Sequence, residues 1–142
     1  MRSLGIDLGS KRIGVALSDA NGTLASPYTV FELTADLAQV VRNINKVVIE
    51  NQVETVVVGL PRSLSGELGR SATEATRVIE IFTKLLDAKV EVYDERFSTK
   101  IAELYMKDTG KSIKKTKRTI DSMAAAVILQ SWLDSRSNAN HG

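Results

Sequence analysis

From Leu4 to Ser18 the chain alternates in two runs. Leu4, Ile6 and Leu8 stand against Ser3, Gly5 and Asp7, then Ile13, Val15 and Leu17 against Gly14, Ala16 and Ser18. Period-two patterning on both sides of a Gly9-Ser10-Lys11-Arg12 turn predicts a β-hairpin with one apolar face. The opposite face has little side-chain bulk, because Gly5, Gly14 and Ala16 surround Asp7. That leaves open space, and room for a ligand, beside a carboxylate. An Asp that ends a strand before a glycine more often bonds its own backbone in a turn. Asp7 gains chemical meaning only if further acids are brought near it.

Beyond the hairpin, Asp19-Ala20-Asn21-Gly22 contains the Asn-Gly turn signal, which predicts a third antiparallel strand over Thr23–Phe31. Pro27 removes a ladder donor and assigns that strand to the sheet edge. Leu37, Val40, Val41, Ile44, Val47 and Val48 then recur at three and four residues, the pattern of an amphipathic helix with Thr34 as N-cap and Asp36 in its first turn. The β-branched run Val53–Gly59 reads as a strand buried on both faces, and the helix before it implies a parallel crossover. Leu60–Arg70 is rich in turn formers, and Ala75, Val78, Ile79, Phe82, Leu85 and Leu86 mark a second helix. Lys89–Tyr93 alternates as a last strand, ending in Asp94-Glu95-Arg96. Ser98 or Thr99 is placed to cap a helix carrying Ile101, Leu104 and Tyr105, which Gly110 stops. A further helix begins at Thr119, and the polar stretch from Ser135 to Gly142 reads as a disordered tail. The order predicts an α/β fold with a five-stranded mixed sheet, three strands antiparallel and then two parallel, flanked by helices in one domain over residues 1–134.

Composition narrows the chemistry. A chain of 142 residues is long enough for one core without staples, and with no cysteine it has neither disulfides nor thiolate sites. No basic leader precedes a long apolar run and no apolar stretch is long enough to span a bilayer, so a cytoplasmic protein without membrane contact is expected. The net charge of +2 is too small to imply a nucleic-acid partner, so the placement of charge carries more information than its sum. Lys111, Lys114, Lys115, Lys117 and Arg118 form a run without an acid, which is either a solvated loop or a phosphate-contacting one.

Asp121 follows at once. It precedes Ala124, Ala125 and Ile128 by three, four and seven residues, which places it on the apolar, sheet-facing side of its helix. Favourable interaction with the helix N-terminus would explain an Asp in a first turn, yet that role does not require the inward face. The pair Asp94-Glu95 lies at the carboxyl end of an inferred parallel strand, where ligand sites of open α/β sheets gather. Periodicity fixes only that the two acids point to opposite faces; a surface ion pair with Arg96 is the plain alternative. Asp7, Asp121 and one acid of this pair can converge as carboxylates only around cations. Oxygen ligands suit Mg²⁺ or Mn²⁺. Zinc is disfavoured, because the sole histidine, His141, lies in the polar tail. Carboxylate-held divalent ions beside a basic loop point to phosphodiester hydrolysis of the two-metal type.

The motifs Gly5-Ile6-Asp7-Leu8-Gly9-Ser10-Lys11-Arg12-Ile13-Gly14-Val15-Ala16, Val58-Gly59-Leu60-Pro61 with Gly66 and Gly69, Asp94-Glu95-Arg96-Phe97-Ser98-Thr99, and Ile120-Asp121-Ser122-Met123-Ala124-Ala125 resemble the YqgF family. The resemblance runs from about Leu4 to Leu133 in the family's order and spacing. Members of that family are described as Holliday-junction resolvases and as nucleases that process the 5′ end of pre-16S ribosomal RNA. The resemblance implies a ribonuclease H-like fold, with Asp7, Glu95 and Asp121 as the catalytic, metal-holding acids and Lys11, Arg12 and Arg96 as phosphate contacts. It selects Glu95 over Asp94. Phe97-Ser98 stands where the family often has Leu-Thr, a change that keeps an apolar residue and a hydroxyl. No fourth carboxylate is evident apart from Asp94.

The expected function is therefore a Mg²⁺- or Mn²⁺-dependent nuclease acting on structured nucleic acid, with pre-16S ribosomal RNA, in a pre-ribosomal particle, ahead of branched DNA. Lys114, Lys115, Lys117 and Arg118 would grip the backbone electrostatically. A monomer or weak homodimer is expected, since symmetric cutting of a junction favours a dimer and processing of one RNA end does not. Two other readings compete. One is a nucleic-acid-binding module without catalysis. The other is an ATP-binding domain of the actin and sugar-kinase type, whose phosphate loop is similar but which needs two such domains.

Overall fold

In the computed structural model of the chain, the residues described are 2–9, 11–33, 36–60, 68–94 and 117–141. The alternating start of the chain forms β1 (Arg2–Leu8) and β2 (Arg12–Ser18), paired antiparallel with Leu4 opposite Leu17 and Asp7 opposite Gly14. The Gly9 N–H donates to the Arg12 carbonyl at 2.9 Å and closes the turn. As the Asn-Gly signal predicts, the chain reverses again, although the frame is different. The Gly22 N–H donates to the Asp19 carbonyl, Gly22 takes φ 72°, and the Asp19 carboxylate accepts from the Thr23 N–H and hydroxyl, each at 2.8 Å. Those bonds, the Thr23 N–H foremost, hold the Asp19 carboxyl below its usual range.

The third strand, β3 (Ala25–Glu32), is at the edge, and its register with β2 slips where Val15 faces Thr29 and Ala16 faces Pro27. Tyr28 is the extra residue. A proline that cannot donate is tolerated at such an irregularity on an edge strand. β4 (Val53–Leu60) pairs parallel with β1 on one side and with β5 (Lys89–Asp94) on the other, giving the order β3-β2-β1-β4-β5. The expected mixed sheet, with three antiparallel strands followed by two parallel ones, is the observed one.

The helix α1 (Leu37–Glu50) buries Val40, Val41, Ile44, Val47 and Val48, the stripe anticipated from spacing. Its N-cap is Asp36 rather than Thr34: the Asp36 carboxylate accepts from the Gln39 N–H at 3.2 Å. Asp satisfies that orphan donor at least as well as Thr, and it stands directly before the apolar stripe. Thr34 lies outside the described residues. The second helix, α2 (Leu68–Leu85), begins inside the stretch expected to be loop, and β4 extends through Leu60, so both elements are longer than the patterning suggested. On this side of the sheet Leu4, Ile6, Ile13, Val15, Val56 and Val58 pack against α1 and against Phe82 and Leu86.

The opposite face is covered by α3 (Lys117–His141). Ala16 and Val57 of the sheet meet Ala125, Ile128, Leu129, Trp132 and Leu133 there. The helix starts two residues before Thr119 and runs through His141, where a polar tail from Ser135 was expected. No Gly or Pro interrupts Lys117–His141. Pairs one turn apart support its later turns, with Arg136 over the Trp132 ring at 4.6 Å and Gln130 donating to Asp134 at 3.0 Å. The predicted helix over residues 98–110 lies outside the described residues. Among the described residues, no helix is long and apolar enough to cross a membrane.

The turn from α1 into β4 puts Gln52 at φ 55°, a left-handed conformation that disfavours side chains with a Cβ. Gln52→Gly is expected to raise stability by about 0.5–1 kcal/mol, the strain relieved less the added unfolded-state freedom of glycine. Thermal unfolding checks it. An unchanged or lower midpoint would mean that Gln52 makes contacts worth more than its strain.

Candidate functional site

Asp7 is set one residue before the carboxyl end of β1 because the hairpin register places it opposite Gly14. On its other side it pairs with Gly59 of β4, which in turn pairs with Tyr93 of β5. A single row across the sheet therefore reads Val30, Gly14, Asp7, Gly59 and Tyr93. Paired residues in a sheet share a face. This row lies near the carboxyl ends of the three parallel strands, the usual ligand edge of such sheets. Asp7 is thus a half-buried carboxylate between two glycines.

The space that the glycines leave is not open, which corrects the expectation from sequence. It is taken by α3. A Cβ built on Gly14 would overlap the main-chain carbonyl oxygen of Asp121, and one on Gly5 would lie 2.7 Å from Leu129 Cβ and 2.9 Å from the Ala125 carbonyl. The glycines remove bulk so that a helix backbone can lie directly on the hairpin, and the small side chain of Ala125 allows the same approach from the helix. Because Gly14 is opposite Asp7, the contact that docks the helix also delivers Asp121 to the row that holds Asp7. Asp121 faces the sheet, as its spacing from Ala125 and Ile128 predicts.

Arg12 completes the arrangement. It is two residues before Gly14 on β2 and so shares that face. Its Nε–H donates to Asp121 Oδ2 at 2.9 Å, with each side chain 24% exposed. The sequence reading placed Arg12 on phosphate; in this structure its Nε is bonded to a carboxylate. Lys11 lies in the exposed β1–β2 turn, and its carbonyl accepts from the Leu33 N–H at 2.8 Å. Lys117 and Arg118 belong to the first turn of α3. Glu95, Arg96, Lys114 and Lys115 lie outside the described residues. Among the described residues, no group of three or more His, Cys, Asp or Glu side chains is gathered as for a metal ion. Two of the three expected acids, Asp7 and Asp121, are related through Gly14, one as its strand partner and the other through its main-chain carbonyl.

Patterning missed two contributors. Gly14 is visible in the sequence, but its pairing with Asp7 and its contact with Asp121 follow only from register and helix docking. Gln130, near the middle of α3, ties the helix to the start of β3 and the turn before it. Its Oε1 accepts from the Ala25 N–H at 2.9 Å and its Nε2 donates to the Thr23 carbonyl at 3.0 Å. A lone Gln in an apolar helix gave no local sign of this.

The family described as "RuvX: Holliday junction resolvase" matches residues 1–135. A protein of Chloroflexus aggregans is 38% identical over 135 residues, 95% of this chain and 94% of that one. A protein of a Geobacillus species is 37% identical over 137 residues, 96% of this chain and 99% of that one. Both carry the name "Putative pre-16S rRNA nuclease". Among solved structures, Thermus thermophilus RuvC superposes with a TM-score of 0.61 at 16% identity, covering 97% of each chain. The fowlpox virus resolvase in complex with Holliday junction DNA superposes at 0.55 with 14% identity, covering 96% of this chain and 99% of that one. At such identities these likenesses establish the fold, the ribonuclease H-like one that the strand order already describes. With the family match spanning the domain and the two acids on the expected elements, the chain belongs to the RuvX family, the YqgF group that its motifs resemble.

Proposed function

We propose that the chain is a divalent-metal-dependent nuclease that hydrolyses phosphodiester bonds in structured RNA, with the 5′ end of pre-16S ribosomal RNA as its substrate. The observation that carries this reading is the pairing of Asp7 with Gly14 beneath the Asp121 backbone, which puts two carboxylates on one face at the ligand edge of the sheet. The names of the RuvX relatives favour RNA over branched DNA.

The donor set fits Mg²⁺ or Mn²⁺, since oxygen ligands are what these ions take. The Arg12 guanidinium already stands as a cation against Asp121, so positive charge belongs at this position. Asp7 and Asp121 would hold the metal together with Glu95, the residue that follows Asp94 in the sequence. Divalent ions held there supply water activation and stabilisation of the leaving oxygen, which relieves the protein of a histidine or serine nucleophile. The chain's own side chains orient and neutralise. Lys11, Arg96, Lys114, Lys115, Lys117 and Arg118 contact phosphates, positioning the strand without reading bases and giving affinity that falls with salt. We place the reaction in the cytoplasm, on a pre-ribosomal particle, with one copy sufficient for one RNA end.

Resolution of four-way DNA junctions is the second reading, favoured by the description of the family and by the junction-bound RuvC of Thermus thermophilus. The test sets end-labelled pre-16S RNA beside a synthetic four-way junction, each with Mn²⁺, Mg²⁺ or chelator. Metal-dependent cutting of the RNA, abolished by chelator, is expected. Cutting of the junction alone assigns the chain to the second reading, and binding without cutting leaves a non-catalytic module.

A further inference from the structure

We propose that Arg12 is a built-in counter-cation that a divalent metal displaces: on metal entry it leaves Asp121, and its guanidinium turns to the phosphate of the bound strand. The inference rests on the metal-dependent reading above and concerns how the same site is held before metal arrives. Asp121 comes from α3 and Arg12 from β2, 109 residues apart in sequence, so the 2.9 Å contact is made by the docking of the helix. Two carboxylates drawn to one face repel each other, and a cation between the elements removes that cost. The Arg12 Nε–H does so with one bond, to one oxygen of Asp121.

A guanidinium carries one positive charge, which offsets the charge of the carboxylate it bonds. A divalent ion at the same oxygen interacts about twice as strongly at equal distance and takes a second carboxylate as ligand. Exchange is then favourable once metal is present. The released guanidinium has the planar fork that matches phosphate. The backbone of Arg12 stays in β2 throughout, since it is fixed by the Gly9 bond and by pairing with Glu32. Only the side chain has to move.

Two measurements on the full chain, neither of them catalysis, test this. The first follows the arginine Nε–H signals by nuclear magnetic resonance during a Mg²⁺ titration, with the Arg12 signal assigned by its loss in Arg12→Lys. Displacement predicts that this signal moves to the position of a solvent-exposed arginine as the Asp121 amide shifts. The second measures Mn²⁺ affinity from the free-ion electron paramagnetic resonance signal. Arg12→Gln, which removes the competing charge, is expected to bind Mn²⁺ at least about fivefold more tightly, within the usual range of coupling between two sites. Arg12→Lys, which keeps the charge, is expected to remain near wild type.

If wild type binds Mn²⁺ but Arg12→Gln binds it equally or more weakly, Arg12 orients Asp121 for the metal instead, and only the displacement proposal falls. Equal tightening by Arg12→Lys would also overturn it, because charge would not be the cause. If wild type and Arg12→Gln both fail to bind Mn²⁺ at millimolar concentration, the metal-dependent reading falls and the displacement with it.

Discussion

Asp7→Asn is expected to lower cleavage by at least about 100-fold, the scale on which one preorganised electrostatic group contributes to a transition state, while leaving nucleic-acid binding within a few-fold of wild type. The substitution is nearly isosteric, so the row Gly14-Asp7-Gly59 keeps its shape and the overlying helix its seat. What changes is charge on the strand partner of Gly14, the residue that meets the Asp121 backbone. In the proposed reading the phosphate contacts come from lysines and arginines elsewhere in the chain, so affinity is expected to depend on them and not on Asp7. The measurement is single-turnover cleavage of pre-16S RNA beside a filter-binding titration. Cleavage at the wild-type rate would remove Asp7 from the catalytic set. Parallel loss of binding would mean that Asp7 shapes the fold or the interface rather than the chemistry.

Gly14→Ala is the second large effect, and it acts through packing, without changing a catalytic side chain. One methyl at this position meets the Asp121 main-chain carbonyl, which no rotamer change can relieve. The helix must lift, the hairpin must twist, or both. Overpacking of this kind costs about 1–3 kcal/mol, which for a chain of this size lowers the unfolding midpoint by roughly 3–10 °C. Displacing Asp121 also moves a carboxylate proposed to hold the metal, so cleavage by the folded protein is expected to fall about as far as in Asp7→Asn. Gly5→Ala provides the control. Its Cβ would crowd Leu129 and the Ala125 carbonyl, one turn further along the helix, so it destabilises without moving Asp121 directly. Similar stability losses with a much larger loss of cleavage in Gly14→Ala would separate packing from placement. Equal loss of cleavage in both would mean that the helix moves as a rigid whole.

Much of the sheet was legible because its signals are local. Leu4, Ile6 and Leu8 against Gly5 and Asp7 state a pleat, Pro27 states an edge, and the β-branched run at Val53–Val58 states an interior strand. The stripe from Leu37 to Val48 was read correctly as a helix, but its cap was assigned two residues early. Thr34 and Asp36 are both good caps, and only the actual bond from Gln39 distinguishes them. The polar stretch after Asp134 was read as disorder, since composition carries no information about pairs such as Arg136 on Trp132. For the site, resemblance and periodicity both pointed to Asp7 and Asp121. The glycines beside Asp7 read as room for a ligand, because a missing side chain looks the same in sequence whether a substrate or a helix fills the space.

By itself, then, the order of residues determined the strands, the crossover helices, and which face of the hairpin carries Asp7. All of these depend on neighbours within a few positions. Only the tertiary structure decided that Gly14 seats Asp121 and that Arg12 holds it. It also decided that a row through Asp7 runs from Val30 to Tyr93. The two contacts to Asp121 join segments more than a hundred residues apart. Their geometry is set by the packing of a whole helix on a whole sheet, which no short stretch of sequence encodes.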